Sequence, residues 1–236
     1  LPLLGTETLF QETVKRLEGL FPIERILVVT AASQVRELRL QTPALPSENF
    51  LPEPEPRGTA SVVGLAAAVL LERDPQAAMV VLPSDHFIRN RDLFQLIIRS
   101  AVQVARRDFL VTLGITPTCP STGYGYIQRG DRLDEFNGLP YYRVLKFKEK
   151  PNEDLASEFM ERGDHDWNSG MFFWRVDRIM QEISSLMPDL YGIIGTIQNA
   201  WLTEKRQDVV KENWTKIVPE TIDYGIMEKA SRVACI

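Results

Sequence analysis

Pro83-Ser84-Asp85-His86 follows directly on the apolar run Ala77-Ala-Met-Val-Val-Leu82. A short β-branched and apolar run of this kind reads as a buried strand. The carboxyl edge of such a strand is where open α/β folds place their ligands. A carboxylate there, Asp85, can hold Mg²⁺ against nucleotide phosphates. The segment on its own favours a plainer use, Asp85 as a cap for the next turn, and His86 reads as a packed or turn histidine.

Four further stretches carry groups that can do chemistry. Glu53-Pro54-Glu55-Pro56-Arg57-Gly58-Thr59-Ala60 sets a carboxylate, a guanidinium and a Gly-Thr pair just before an Ala-rich helical run. Main-chain N–H groups at a helix start attract anions, and Gly58 permits close approach of a ligand to the backbone. Glu53 could accept hydrogen bonds from the N1 and N2 donors of guanine, although Glu-Pro-Glu-Pro alone is usually an extended solvated loop. Phe147-Lys148-Glu149-Lys150-Pro151 ends a strand. Regular alternation sends Glu149 and Lys150 to opposite faces, so Glu149 on sugar hydroxyls and Lys150 on a sugar phosphate requires a twist or bulge; otherwise this is a charged, solvated edge. Trp167-Asn168-Ser169-Gly170 precedes an aromatic strand, and Asn168 can both donate to and accept from hydroxyls. The glycines of Thr122-Gly123-Tyr124-Gly125-Tyr126 either form a simple turn or let a sugar ring lie against the backbone.

Elements that position these groups follow from periodicity. Helices are predicted over Thr8 to Leu20, from Ser33, over Ala60 to Leu71 and over Asp92 to Arg106, with strands at Ile26 to Thr30, Ala77 to Leu82 and Phe109 to Ile115. Pro52 to Pro56 and Pro117 to Gly123 read as loops. Beyond Tyr124 the alternation changes: strands at Gly125 to Gln128, Tyr142 to Phe147 and Met171 to Val176 are separated by longer, irregular pieces. The stretch from Arg178 to Ala230 reads as mostly helical, and Arg232 to Ile236 as a final strand. The expected fold is one Rossmann-like three-layer α/β/α domain with a mixed central sheet over residues 1–236.

Composition narrows the function classes. The 236 residues are 44% hydrophobic and 25% charged, ordinary for one globular core. No apolar run approaches the ~20 residues of a membrane span, and Leu1-Pro2-Leu3-Leu4-Gly5 does not read as a secretory leader. A formal charge of −5 argues against a nucleic-acid surface but leaves small phosphate ligands open. Two cysteines, Cys119 and Cys235, make a disulfide framework improbable and a reducing cytoplasm the expected compartment.

The order of these motifs resembles the mannose-1-phosphate guanylyltransferase branch of the sugar nucleotidyltransferases. The resemblance spans almost the whole chain: Leu9-Phe10-Gln11-Glu12-Thr13, Glu53-Pro54 with Arg57 and Thr59-Ala60, Pro83-Ser84-Asp85-His86, Thr122 to Ile127, Phe147 with Glu149-Lys150-Pro151, Asn168-Ser169-Gly170-Met171-Phe172, and Ile222-Asp223-Tyr224 with Met227-Glu228. Its most specific part is the Glu-Lys-Pro and Asn-Ser-Gly-Met-Phe pair. It implies GMP transfer from GTP to mannose 1-phosphate, giving GDP-mannose and pyrophosphate. Asp85 is then the Mg²⁺ ligand, and Glu53, Arg57, Gly58, Thr59, Ser84 and Asp85 lie along the nucleotide. Gly125, Glu149 and Asn168 contact mannose, and Lys150 its phosphate, which makes Asp85 and Lys150 the catalytic pair. Asp223 matches a family position near the site without an assigned role, and Gly58 stands where many relatives carry Asn. The resemblance admits a homodimer and implies no membrane partner. Alternatives are a noncatalytic regulatory subunit that binds a sugar nucleotide, or a transferase for another hexose 1-phosphate or nucleotide. The family's Gly-rich loop falls upstream of Leu1 and its Trp-x-Asp-x-Gly segment downstream of Ile236, so the full polypeptide is expected to extend beyond both ends.

Overall fold

The structure, a computed structural model, describes residues 5–236; the Leu1–Leu4 part of the stretch read for a leader lies outside them. Helix α1 (Leu9–Lys15) opens on a capping box in which Thr8 and Gln11 satisfy each other's main-chain N–H groups. It is shorter than the periodicity of Thr8 to Leu20 predicts, because the chain leaves the helix in turns before Gly19 at φ +77°. Strand β1 (Val28–Ala31) pairs in parallel with β2 (Phe50–Glu53), and α2 (Val35–Gln41) connects them. Strand β1 starts later than the run from Ile26 suggests, since the Asn49 amide takes the carbonyls of Glu24 and Ile26, each at 2.9 Å. Strand β2 falls partly in the segment read as a loop. Its Pro52 is tolerated because, among the described residues, β2 pairs on one side only.

Helix α3 (Thr59–Leu71) is buried along most of its length and leads into β3 (Ala78–Val81), then α4 (Arg91–Ala105) and β4 (Leu110–Ile115). Strands β5 (Tyr126–Phe136) and β6 (Leu139–Lys148) form one long hairpin instead of separate short strands. Its turn is Asn137-Gly138, both left-handed at φ +53° and +76°, the pairing that two-residue hairpin loops favour. Helix α5 (Glu153–Arg162) ends on left-handed Gly163. Strand β7 runs from His165 to Arg175, well upstream of the predicted Met171, and Val176 opens α6 (Val176–Leu186) instead of closing the strand. Helices α7 (Pro188–Ala200) and α8 (Arg206–Trp214), a π-helical turn over Asp223–Met227, and β8 (Val233–Cys235) follow.

The main sheet has the order β3-β7-β4-β8-β6-β5. Strands β6 and β7 run against the others, so the sheet is mixed. Alternation along its strands builds two cores. Leu110, Phe172, Trp174 and Val233 pack with α3, α6 and α7. Their neighbours Val111, Met171, Phe173 and Ala234 pack on the other face with Phe94, Ile98 and Val104 of α4. This is the three-layer α/β/α arrangement. Burying side chains of this size contributes about 1.5–3 kcal/mol each, which holds the strand ends that carry the polar residues.

Candidate functional site

Pairing around β7 leaves one opening in the sheet. Phe172 and Phe173 are flanked by β3 on one side and β4 on the other, whereas Trp167 is flanked by β5 and β4. Strands β3 and β5 therefore share one edge of β7, and between the end of the first and the start of the second neither is paired with Ser169, Gly170 or Met171. The register against β4 slips here: Thr112 faces Phe172 but Gly114 faces Asn168, so β7 carries extra residues in a bulge. Asn168-Ser169-Gly170 is what such a bulge needs. Gly170 takes φ +68°, its N–H donates to Asn168 Oδ1 at 3.1 Å, and the N–H of Met171 donates to Ser169 Oγ at 3.2 Å.

Three residues expected to meet sugar converge at this opening. The N–H of Asn168 donates to the carbonyl of Gly125 at 2.8 Å. A methyl group on Gly125 would collide with Glu149 Oε2, lie 3.3 Å from Glu149 Cδ and sit 3.5 Å from Asn168 Cβ. Lys150 joins them because β6 ends at Lys148 and Lys150 adopts φ +43°, the break in alternation that the functional reading demands. Its Nζ is 3.8 Å from Glu149 Oε1, and it is 65% exposed against 19% for Glu149. The π-helical turn brings Asp223 to the same place, where Asp223 Oδ1 accepts from Asn168 Nδ2 at 2.7 Å. Burial and then Asp223 raise the Glu149 carboxyl above the usual glutamate value, with Lys150 opposing. Burial likewise raises Asp223, against the hydrogen bond from Asn168.

The segment after β3 reaches the same edge. Pro83 Cγ lies 3.7 Å from where a Gly170 methyl would be, and Ser84 and Asp85 follow, both exposed. Asp85 is 79% exposed, 3.9 Å from His86 Nε2; the His86 carbonyl is held by Arg16 at 2.7 Å. Among the described residues no three His, Cys, Asp or Glu side chains converge as a metal cage. A lone accessible carboxylate suits Mg²⁺, which binds through one or two carboxylates plus substrate phosphates and keeps its waters.

The stretch expected along the nucleotide is used partly as a clasp. Gly58, at φ +81°, lies against Glu220, where a methyl group would overlap the carbonyl oxygen and sit 2.7 Å from the carbonyl carbon. The N–H of Ala60 donates to Glu220 O at 3.2 Å, that of Glu220 to Arg57 O at 3.3 Å, and that of Ile222 to Thr59 Oγ1 at 2.9 Å. Gly58 and Thr59 thus fasten the segment that delivers Asp223. Arg57 pairs with Glu55 and donates to Ile217 O at 3.2 Å. Glu53 Oε2 and Arg57 Nε are buried without hydrogen-bond partners among the described residues, and burial raises the Glu53 carboxyl. Orphaned polar atoms of this kind suggest a site whose ligand would complete them. The sequence reading missed Thr112, a buried strand threonine whose hydroxyl donates to Asn168 Oδ1 at 3.1 Å, and left Asp223 without a role.

Comparison with known proteins agrees with this architecture. The family described as nucleotidyl transferase matches residues 1–215. A mannose-1-phosphate guanylyltransferase from Klebsiella pneumoniae is 35% identical over 240 residues, covering 98% of this chain and 49% of the relative. One from Sinorhizobium fredii is 35% identical over 245 residues, covering 100% and 46%. The chain therefore spans about half the length of the curated relatives it matches. Among solved structures, one described as mannose-1-phosphate geranyltransferase from Thermus thermophilus superposes with a TM-score of 0.87 at 30% identity, covering 100% of this chain and 65% of that one. With the fold, the match over residues 1–215 and relatives along its whole length in agreement, the chain belongs to the nucleotidyl transferase family.

Proposed function

We propose that this protein transfers GMP from GTP to mannose 1-phosphate, releasing pyrophosphate and giving GDP-mannose. The observation that carries the reading is the meeting of Gly125, Glu149, Lys150 and Asn168 at one opening of the sheet, with the Asp85 loop on the same edge. Relatives named mannose-1-phosphate guanylyltransferase supply the choice of sugar and base. Glu149 accepts from sugar hydroxyls, Lys150 holds the sugar phosphate, and Glu53 lies along the guanine nucleotide. A phosphate oxygen of mannose 1-phosphate attacks the α-phosphorus of GTP in line; a P–O bond forms there as the bridging bond to the β-phosphorus breaks and pyrophosphate departs. The nucleophile is already an anion, so no general base is required. The main obstacle is charge: two unit charges ~4 Å apart repel by about 4 kcal/mol at an effective dielectric of ~20. Lys150 offsets part of this by pairing with the sugar phosphate. The nucleotidyltransferase family generally uses a divalent metal; Asp85 would hold Mg²⁺, which when bound supplies positive charge against the triphosphate. Both cysteines are free, which favours the cytoplasm as the working compartment.

The test is pyrophosphate release with GTP and mannose 1-phosphate, set beside UTP or ATP and glucose 1-phosphate, for wild type and Asp85→Asn. Turnover confined to the first pair and largely lost in Asp85→Asn supports the proposal. Binding of GDP-mannose without turnover would mark a noncatalytic protein, and preference for another pair would overturn the substrate assignment.

A further inference from the structure

The amide of Asn168 is committed on both ends. Its Oδ1 accepts from the Thr112 hydroxyl and from the N–H of Gly170, each at 3.1 Å. A carbonyl oxygen has two lone pairs, and both are taken. The main-chain N–H of Gly170 cannot face an NH₂ group, so the oxygen must lie on that side. The Nδ2 group then faces Asp223, whose Oδ1 accepts from it at 2.7 Å. Both ends select the same orientation. One of the two Nδ2 hydrogens is spent on Asp223, and no partner among the described residues takes the other. Glu149 presents its carboxylate against Gly125, whose lack of a side chain lets the carboxylate approach the side of Asn168, where a Gly125 methyl would collide with Glu149 Oε2 and lie 3.5 Å from Asn168 Cβ.

We propose that Asn168 meets the sugar as a hydrogen-bond donor only, and that Thr112 and Asp223 are positioning residues that fix this polarity. The proposal rests on the reading of this opening as the sugar site. It divides the recognition: one hydroxyl donates to Glu149 and another accepts from Asn168 Nδ2. The ligand class is a sugar phosphate with two hydroxyls close enough to span these groups. Thr112 and Asp223 come from strand and turn positions far apart in sequence, and neither needs to touch the ligand.

The decisive variant reverses the pair. Asn168→Asp with Asp223→Asn keeps a hydrogen bond between the two positions, and the new carboxylate can still accept from Thr112 and Gly170. It offers the sugar an acceptor in place of a donor. Calorimetric titration with mannose 1-phosphate, a parallel titration with GTP, and thermal unfolding separate the outcomes. The reversed pair is expected to melt near wild type and bind GTP unchanged, while losing at least about tenfold in sugar-phosphate affinity. Asp223→Asn alone, whose amide oxygen still accepts from Asn168, should stay within about threefold, and Asp223→Ala should fall between. A reversed pair that binds mannose 1-phosphate within about threefold of wild type overturns the proposal. Should the reversed pair fail to fold, the wild-type protein answers instead: mannose 1-phosphate must shift an Asn168 side-chain Nδ2 proton resonance, and no shift at saturation overturns the donor role. A wild type that binds GTP but not mannose 1-phosphate overturns the sugar-site reading itself, a result distinct from the first.

Discussion

Replacing Gly58 with alanine tests whether the clasp between the start of α3 and Glu220–Ile222 is a structural necessity. Gly58 occupies φ +81° and ψ 168°, a region populated essentially by glycine, and holding another residue there costs about 1–3 kcal/mol. The added methyl overlaps a main-chain carbonyl, with the carbon at 2.7 Å and the nitrogen at 2.9 Å, so no flexible side chain can swing aside. The Glu220 segment must back away, giving up one or two of the bonds Ala60–Glu220, Glu220–Arg57 and Ile222–Thr59, at about 0.5–1.5 kcal/mol each. The sum is about 1.5–6 kcal/mol, a fall in Tm of roughly 3–24 °C for a domain of this size. Thermal unfolding followed by circular dichroism measures it. A decrease under about 2 °C would show that the segment relaxes freely and that the geometric argument is unsound.

Gly125→Ala should behave in the opposite way: its methyl meets the mobile end of Glu149, so Tm should change little while the sugar-phosphate KM rises about tenfold or more as the carboxylate is displaced, which steady-state kinetics will show. Lys150→Ala should raise the sugar-phosphate KM about tenfold and leave that for GTP unchanged, the low end for a charge-assisted contact because Lys150 is 65% exposed; equal effects on both substrates would contradict its assignment. Glu149 should protonate at a higher pH than an ordinary glutamate, since burial and Asp223 raise it; its contribution to stability is therefore present below the unfolded-state value and lost as pH rises through the raised one. Carbon-13 NMR titration of the Glu149 carboxyl should show Asp223→Asn moving that midpoint downward, and an unmoved midpoint would exclude the coupling.

Periodicity carried much of the fold because the buried elements advertise themselves. Ala60 to Leu71, Ala77 to Leu82 and Phe109 to Ile115 lie within a residue or two of the observed elements. Edges and hairpins were less legible. Strand β2 hid behind Pro52, and the solvated, charged stretch Arg129 to Glu135 of β5 carries little alternation, although Asn137-Gly138 after it is a strong hairpin turn; the strand expected at Tyr142 to Phe147 lies within β6 but is shorter than it. In the candidate site, Gly125, Glu149, Lys150 and Asn168 were singled out from residue type and from the family resemblance, and the fold brings them together. Nothing in the sequence marks Thr112, because a threonine in a strand is unexceptional until its hydroxyl has a partner. The clasping use of Gly58 and Thr59 was equally invisible, since Thr59 and its partner Ile222 are 163 positions apart.

The placement of β8 sets a timetable for folding. Val233–Cys235 lies between β4 and β6, pairing in parallel with one and antiparallel with the other. A ribosome adding roughly 5–20 residues per second exposes the β5–β6 hairpin several seconds before this filament can be threaded beside it. Until then both flanking strands present unpaired amides and carbonyls, the arrangement that recruits foreign chains into aggregates. Nascent protein is thus vulnerable during a defined window that closes only when Val233–Cys235 emerges, and nonsense mutations upstream of Arg232 would hold that window open permanently.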